Sequence, residues 1–124
     1  MNPNELNQLL SYLTMSEGTI VRLLEKDVEF LTDAADVVVR TAETHDVSLD
    51  RMRQIKEELN RKTESVADDL PLNLFFIEVN PAHELLVQEL QELFSGRESD
   101  KTLKWGLRFN PHIDSVKVTL VFSR

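Results

Sequence analysis

Three histidines, His45, His83 and His112, are the first side chains whose type could support chemistry. His83-Glu84 begins like a zinc-protease signature, in which two histidines four positions apart share a helix face and hold the metal. Position 87 is Val87, so the second ligand is missing and the motif fails. His45 and His112 fall in expected turns, and only tertiary folding could bring them to His83. No metal ligand is assigned.

Carboxylates stand in pairs at Glu25/Glu29, Asp33/Asp36, Glu57/Glu58 and Asp68/Asp69. General acid–base work needs two carboxyls in different environments within a cleft. These pairs lie opposite apolar stripes or in a loop, where solvated carboxylates are the plain expectation. The three glycines, Gly18, Gly96 and Gly106, are scattered, which excludes a glycine-rich phosphate cradle. Ser95-Gly96 closes a helix, whereas a serine nucleophile needs a strained strand-to-helix turn. The chain has no cysteine, which removes disulfides, thiolate zinc sites and cysteine nucleophiles. The expectation is therefore no catalytic residue, no cofactor and no metal.

One basic cluster stands out on an acidic chain. Lys104, Arg108 and Lys117 share the polar phase of two terminal strands, and Arg97 and Lys101 precede them. RNA-reading sheets stack bases on exposed aromatic rings. Here Trp105, Phe109 and Phe122 lie in the apolar phase and point toward a core. The cluster reads as a contact for a protein partner or as defence of an edge strand, and nucleic acid is disfavoured.

The elements that position these residues follow from hydrophobic spacing. Asn2, Pro3 and Glu5 form a capping box ahead of Leu6, Leu9, Leu10 and Leu13, which share one helix face. A second helix is expected from about Met15 to Glu43, with Leu31, Ala35, Val38 and Ala42 at heptad spacing as a stripe for self-association. Against it stand Gly18 and the β-branched run Val37-Val38-Val39. Ser48 caps a third helix from about Leu49 to Val66, with Arg51, Arg53 and Lys56 toward water. The two long helices should pack as an antiparallel hairpin.

After Pro71 the period changes. Residues 73–79 form a strand apolar on both faces, as an interior strand requires. Asn80-Pro81 opens a fourth helix carrying Leu85, Leu86, Leu90 and Leu93. Leu103, Trp105, Leu107 and Phe109, then Val116, Val118, Leu120 and Phe122, alternate with polar residues around a six-residue loop and read as a β-hairpin. Glu78-Val79-Asn80-Pro81-Ala82-His83 and the leucines after it resemble, locally, a strand-to-helix junction in the carboxy-terminal domain of Hsp90-type chaperones. An Asn-Pro cap after a strand is general physics, and no function is carried over from it.

The expected fold is α+β: a helical hairpin with a short leading helix, then a β-α-β-β unit forming a three-stranded, mainly antiparallel sheet. It is read as one domain over residues 1–124, helical in 1–67 and β-α-β-β in 72–124. Acidic residues number 22 and basic ones 14, a net charge of −8 that argues against anionic lipid and general nucleic-acid partners. A basic leader followed by an apolar run is absent, as is any span of about 20 apolar residues, so a cytoplasmic location is expected. The functional expectation is a small protein-interaction module, an adaptor, inhibitor or assembly factor, that associates with itself as a homodimer. Two other readings stay open: a small enzyme or ligand-binding protein with a site at a dimer interface, and a structural subunit of a larger, for example viral, assembly.

Overall fold

The computed structural model describes residues 1–94 and 103–124. Helix α1 (Pro3–Leu13) starts where the capping box predicts. Asn2 Oδ1 accepts the Glu5 N–H at 2.8 Å, and Asn2 Nδ2 donates to Glu5 Oε1 at 3.1 Å. These bonds satisfy groups that a bare helix start would leave open. Leu9 and Leu13 form the buried face.

The long second helix does not exist. Residues 15–43 instead hold strand β1 (Thr19–Val21), a single turn α2 (Glu25–Val28) running into a 3-10 turn (Glu29–Thr32), and strand β2 (Val37–Thr44). Two local features decide this. Gly18 adopts φ +71°, which ends helical geometry, and a Cβ there would lie 2.5 Å from the Phe109 carbonyl oxygen. The run Val37-Val38-Val39, followed by Thr41 and Thr44, prefers a pleated surface to a helix. The self-association stripe is lost with the helix. Leu31 is buried under α1, Ala35 is exposed in a turn, and Val38 and Ala42 pack on the opposite layer.

Helix α3 (Arg51–Thr63) keeps close to its expected span. Strand β3 (Leu72–Val79) leads through a 3-10 turn (Pro81–His83) to helix α4 (Val87–Phe94). The Asn80-Pro81 start thus yields one tight turn, and the helix proper begins later than the leucine spacing suggests. Strands β4 (Lys104–Phe109) and β5 (Val116–Ser123) complete the chain. The expected helix stop at Ser95-Gly96, and Arg97 and Lys101, lie outside the described residues.

The sheet has five strands in the order β1-β4-β3-β5-β2, and β3 is at its centre. It runs parallel to β4 and antiparallel to β5, so the sheet is mixed. This corrects the three-stranded, antiparallel expectation and the helical hairpin before it. It also corrects the terminal β-hairpin, because β4 and β5 flank β3 and do not pair with each other. Strand β3 is apolar on both faces and takes the doubly covered position; the loop 110–115 crosses past its end. Among the described residues, strand β2 pairs along its whole length with β5 alone, from Val37↔Ser123 to Thr44↔Val116.

Each sheet face has its own cover. Phe75, Ile77, Val118 and Leu120 pack against Met52, Ile55 and Leu59 of α3 and Leu93 of α4. On the other face, Leu74, Phe76 and Val121 meet Leu9 and Leu13 of α1 with Leu23, Val28 and Leu31. Truncating a buried ring such as Phe76 to alanine costs about 3–5 kcal/mol. The strand phases expected for β3, β4 and β5 match these two layers.

Candidate functional site

The register brings three loops to one end of the sheet. Thr44, Val79, Phe109 and Val116 are neighbours across β2, β3, β4 and β5. The loops 45–50, 80–86 and 110–115 therefore sit side by side, and they carry His45, His83 and His112 respectively. His45 Nδ1 lies 2.5 Å from Asp114 Oδ2 in an exposed pair. Among the described residues, no three metal-ligating side chains converge.

Side-chain and backbone bonds pin these loops. Asn80 donates from its backbone N to the Ser115 carbonyl at 2.8 Å and from Nδ2 to the Ile113 carbonyl at 2.7 Å. Asn110 donates from its backbone N to the Val79 carbonyl at 2.9 Å and from Nδ2 to Glu78 Oε2 at 2.7 Å. Two asparagines thus lock the crossing loop to the end of β3.

Beneath the loops lies a buried ion pair. Arg51, at the start of α3, donates from Nε to Glu89 Oε2 at 2.6 Å and from Nη2 to Oε1 at 2.9 Å. Its remaining donors reach the Glu84 carbonyl at 2.9 Å and Ser115 Oγ at 3.3 Å. Glu89 Oε1 also accepts the Leu86 N–H at 3.1 Å. Burial, the largest influence on Glu89, raises its pKa; Arg51 and the Leu86 amide outweigh it and hold the carboxyl below its ordinary value. One guanidinium therefore ties together α3, the 80–86 loop, α4 and the crossing loop. Sequence spacing placed Arg51 in water, which the structure corrects.

A second buried cluster sits on the α1 side. Glu78 is 1% exposed and Arg108 9%. Arg108 donates from Nε to Glu78 Oε2 at 3.0 Å, while Nη1 reaches Met15 Sδ at 2.9 Å. The Tyr12 hydroxyl donates to Glu78 Oε1. Burial first, then the bond to Glu78, pushes the Tyr12 hydroxyl far above its ordinary pKa. For Glu78 burial is again the largest influence and raises the pKa, but Tyr12, Asn110 and Arg108 together leave it lowered.

This cluster relocates the basic residues singled out from sequence. Lys104, Arg108 and Lys117 do share a sheet face, but it is the face beneath α1 and α2, not an outward one. Lys104 pairs with Asp27 at 3.3 Å, Arg108 is buried on Glu78, and Lys117 Nζ stands 5.6 Å from the Tyr12 ring centre. Each is occupied within the chain.

Beside exposed polar residues such as His45, Asp50, Glu84 and Asp114, the loop end exposes apolar side chains. Seven large apolar side chains are exposed among the described residues, and four of them, Val47, Leu49, Leu86 and Val87, lie in or beside the loops at this end. Leu49 is 76% exposed and Val87 68%. They flank the Arg51–Glu89 pair, two positions before each partner. Sequence reading gave Leu86 to a buried helix face; the late start of α4 leaves it outside. A signal for the site was present in the apolar residues at the two helix starts, but not in any motif.

No protein-family model and no curated protein matches the chain. Solved structures do. An empty FtsZ dimer from M. jannaschii superposes with a TM-score of 0.66 at 15% identity, over 90% of this chain and 34% of the FtsZ chain. The W319Y mutant of M. jannaschii FtsZ gives 0.65 at 18% identity, over 98% of this chain and 37% of that one. The fold is FtsZ-like. At these identities the likeness concerns fold alone, and this chain spans about a third of the FtsZ chains it matches. No helix of the described residues is long and apolar enough to cross a membrane.

Proposed function

We propose that the protein is a small interaction module, an adaptor, inhibitor or assembly factor, that takes an apolar segment of a partner protein at its loop end. The observation that carries this reading is the set of exposed aliphatic side chains, Val47, Leu49, Leu86 and Val87, set around the buried Arg51–Glu89 anchor. Exposed apolar groups that cluster mark contact sites. Loops held by a rigid frame are where binding residues concentrate. One FtsZ structure of similar fold is a dimer, so this architecture occurs in a protein that makes protein contacts.

The reading rests on the loop end and not on Lys104, Arg108 and Lys117, each of which has a contact within the chain. The test is a pull-down from lysate of the source organism with the wild-type chain beside Leu49→Asp/Val87→Asp. Both side chains are exposed, so the thermal midpoint should stay within a few degrees of wild type. A stoichiometric partner held by wild type and lost from the double variant is the expected result. A partner held equally by both, or none at all, overturns the reading. Sedimentation of the purified chain reports whether that partner is a second copy.

A further inference from the structure

The two edges of the sheet are unequal. Strand β1 is three residues long and its pairing with β4 is irregular. Strand β2 runs eight residues. Asp36 and Arg124 exchange backbone bonds, Asp36 N to Arg124 O at 3.3 Å and Arg124 N to Asp36 O at 3.2 Å. In an antiparallel ladder that phase repeats every second residue. Val38, Arg40, Ala42 and Thr44 therefore turn their backbone groups to β5, and Val37, Val39, Thr41 and Glu43 turn theirs away from the sheet. Such a row is a template for another strand.

The chain occupies the middle of that row with its own cations. Arg40 Nη1 donates to the Val39 carbonyl at 3.0 Å, and Lys62 Nζ donates to the Thr41 carbonyl at 2.5 Å. Both side chains are held in place. Arg40 Nε donates to the Lys62 carbonyl at 3.1 Å and Nη2 to Ser65 Oγ at 3.3 Å. Lys62 also pairs with Glu58 one helical turn earlier, at 2.9 Å. The end of α3 thus reaches over the edge and covers two adjacent outward acceptors.

We propose that the β2 edge is a strand-docking site for a second copy of this chain, held shut by Arg40 and Lys62. The strand's own sequence selects the occupant. Two antiparallel, two-fold registers use nearly the whole of β2. One places Arg40 opposite Arg40, a like-charge pair that opposes association. The other places Thr41 opposite Thr41, Arg40 opposite Ala42, and Val39 opposite Glu43, with no like-charge pair. In that register the Thr41 carbonyl must accept from the partner's backbone, and Lys62 holds that same oxygen. The guard therefore sits on the bond at the two-fold axis.

The test uses the full chain with Arg40→Thr/Lys62→Ala, followed by sedimentation velocity across a wide concentration range. Self-association should become about tenfold tighter than in wild type, or more, as two charge-assisted bonds no longer compete. Hydrogen exchange should slow at the Val39, Thr41 and Glu43 amides as the double variant associates. Adding Thr41→Pro should abolish that association, because the Thr41 N–H faces outward and its loss leaves the β5 ladder intact. An unchanged association constant in the folded double variant overturns the proposal, as does association that survives Thr41→Pro. Protected β2 edge amides in a wild-type dimer overturn the guard. Should Arg40→Thr disturb folding, Lys62→Ala alone reads the same exchange and association, since Lys62 is exposed. Leu49→Asp/Val87→Asp leaves this association untouched, which separates it from the loop-end reading.

Discussion

Arg51 and Glu89 meet through two short bonds beneath the loops that present Leu49 and Val87. The pair is buried on both sides and saturated by Glu84, Ser115 and Leu86. Such a pair contributes little over a well-packed apolar substitute, but breaking it from one side is costly.

Arg51→Ala should therefore destabilise the protein by about 3–5 kcal/mol, because Glu89 is left buried without its cation. Urea unfolding of wild type and variant measures this directly. Arg51→Ala/Glu89→Leu should recover part of the loss, which a purely local effect of the alanine would not predict.

The acid limb of stability should follow Glu78 and Glu89. Both carboxyls are lowered in the folded state, so their contribution is present at neutral pH and is lost as pH falls through their folded values, below the usual glutamate range. Urea midpoints should hold from neutrality into mild acid and then drop. Glu78→Gln should lower the neutral plateau and flatten the acid slope; an acid limb as steep as wild type would remove Glu78 as its source.

Tyr12 is the only tyrosine, so ultraviolet titration reads it alone. Its raised pKa means that folding opposes the phenolate. Stability is fully present below the ordinary tyrosine pKa and declines as pH rises from there toward the folded value. The phenolate signal should appear in step with alkaline unfolding and not before it. Tyr12→Phe keeps the ring edge against Phe76, at 5.2 Å between centres, and loses only the donor to Glu78. It should cost about 1.5–3 kcal/mol at neutral pH, the range for a hydrogen bond to a charged group.

Gly18→Ala should cost at least about 1–3 kcal/mol. The positive φ resists any side chain, and the new methyl would meet the carbonyl oxygen of Phe109, a residue whose backbone N–H donates to the Gly18 carbonyl at 2.8 Å. Thermal unfolding reads the loss, and β1 amides should lose exchange protection before those of β3.

The sequence patterns made some of this visible and hid the rest for physical reasons. Asn2-Pro3 with Glu5 marked α1 because a helix cap is local chemistry. The alternation from Leu103 to Phe122 marked two strands because pleating is local too. Leu31, Ala35, Val38 and Ala42 misled because spacings of four, three and four fit a heptad by coincidence. The contrary signs were Gly18 and the three consecutive valines. Strand order was hidden, since nothing in the 110–115 loop says that it passes β3. The buried anchors were hidden most deeply: Arg51 and Glu89 come from separate helices, and a charged residue's spacing does not reveal a distant partner. Lys104, Arg108 and Lys117 share a face as their phase implied, but which side of the sheet α1 covers is a tertiary fact.

Among the described residues strand β2 pairs only with β5, and α3, β3, α4 and β4 all lie between them in the chain. As the polypeptide leaves the ribosome, Val37–Thr44 thus waits with both of its edges open until β5 has been synthesised. The Arg40 and Lys62 contacts need only α3, which follows at once, so they can shield the outer edge of the nascent strand long before its permanent neighbour arrives. The guard would then act first as protection against aggregation during synthesis.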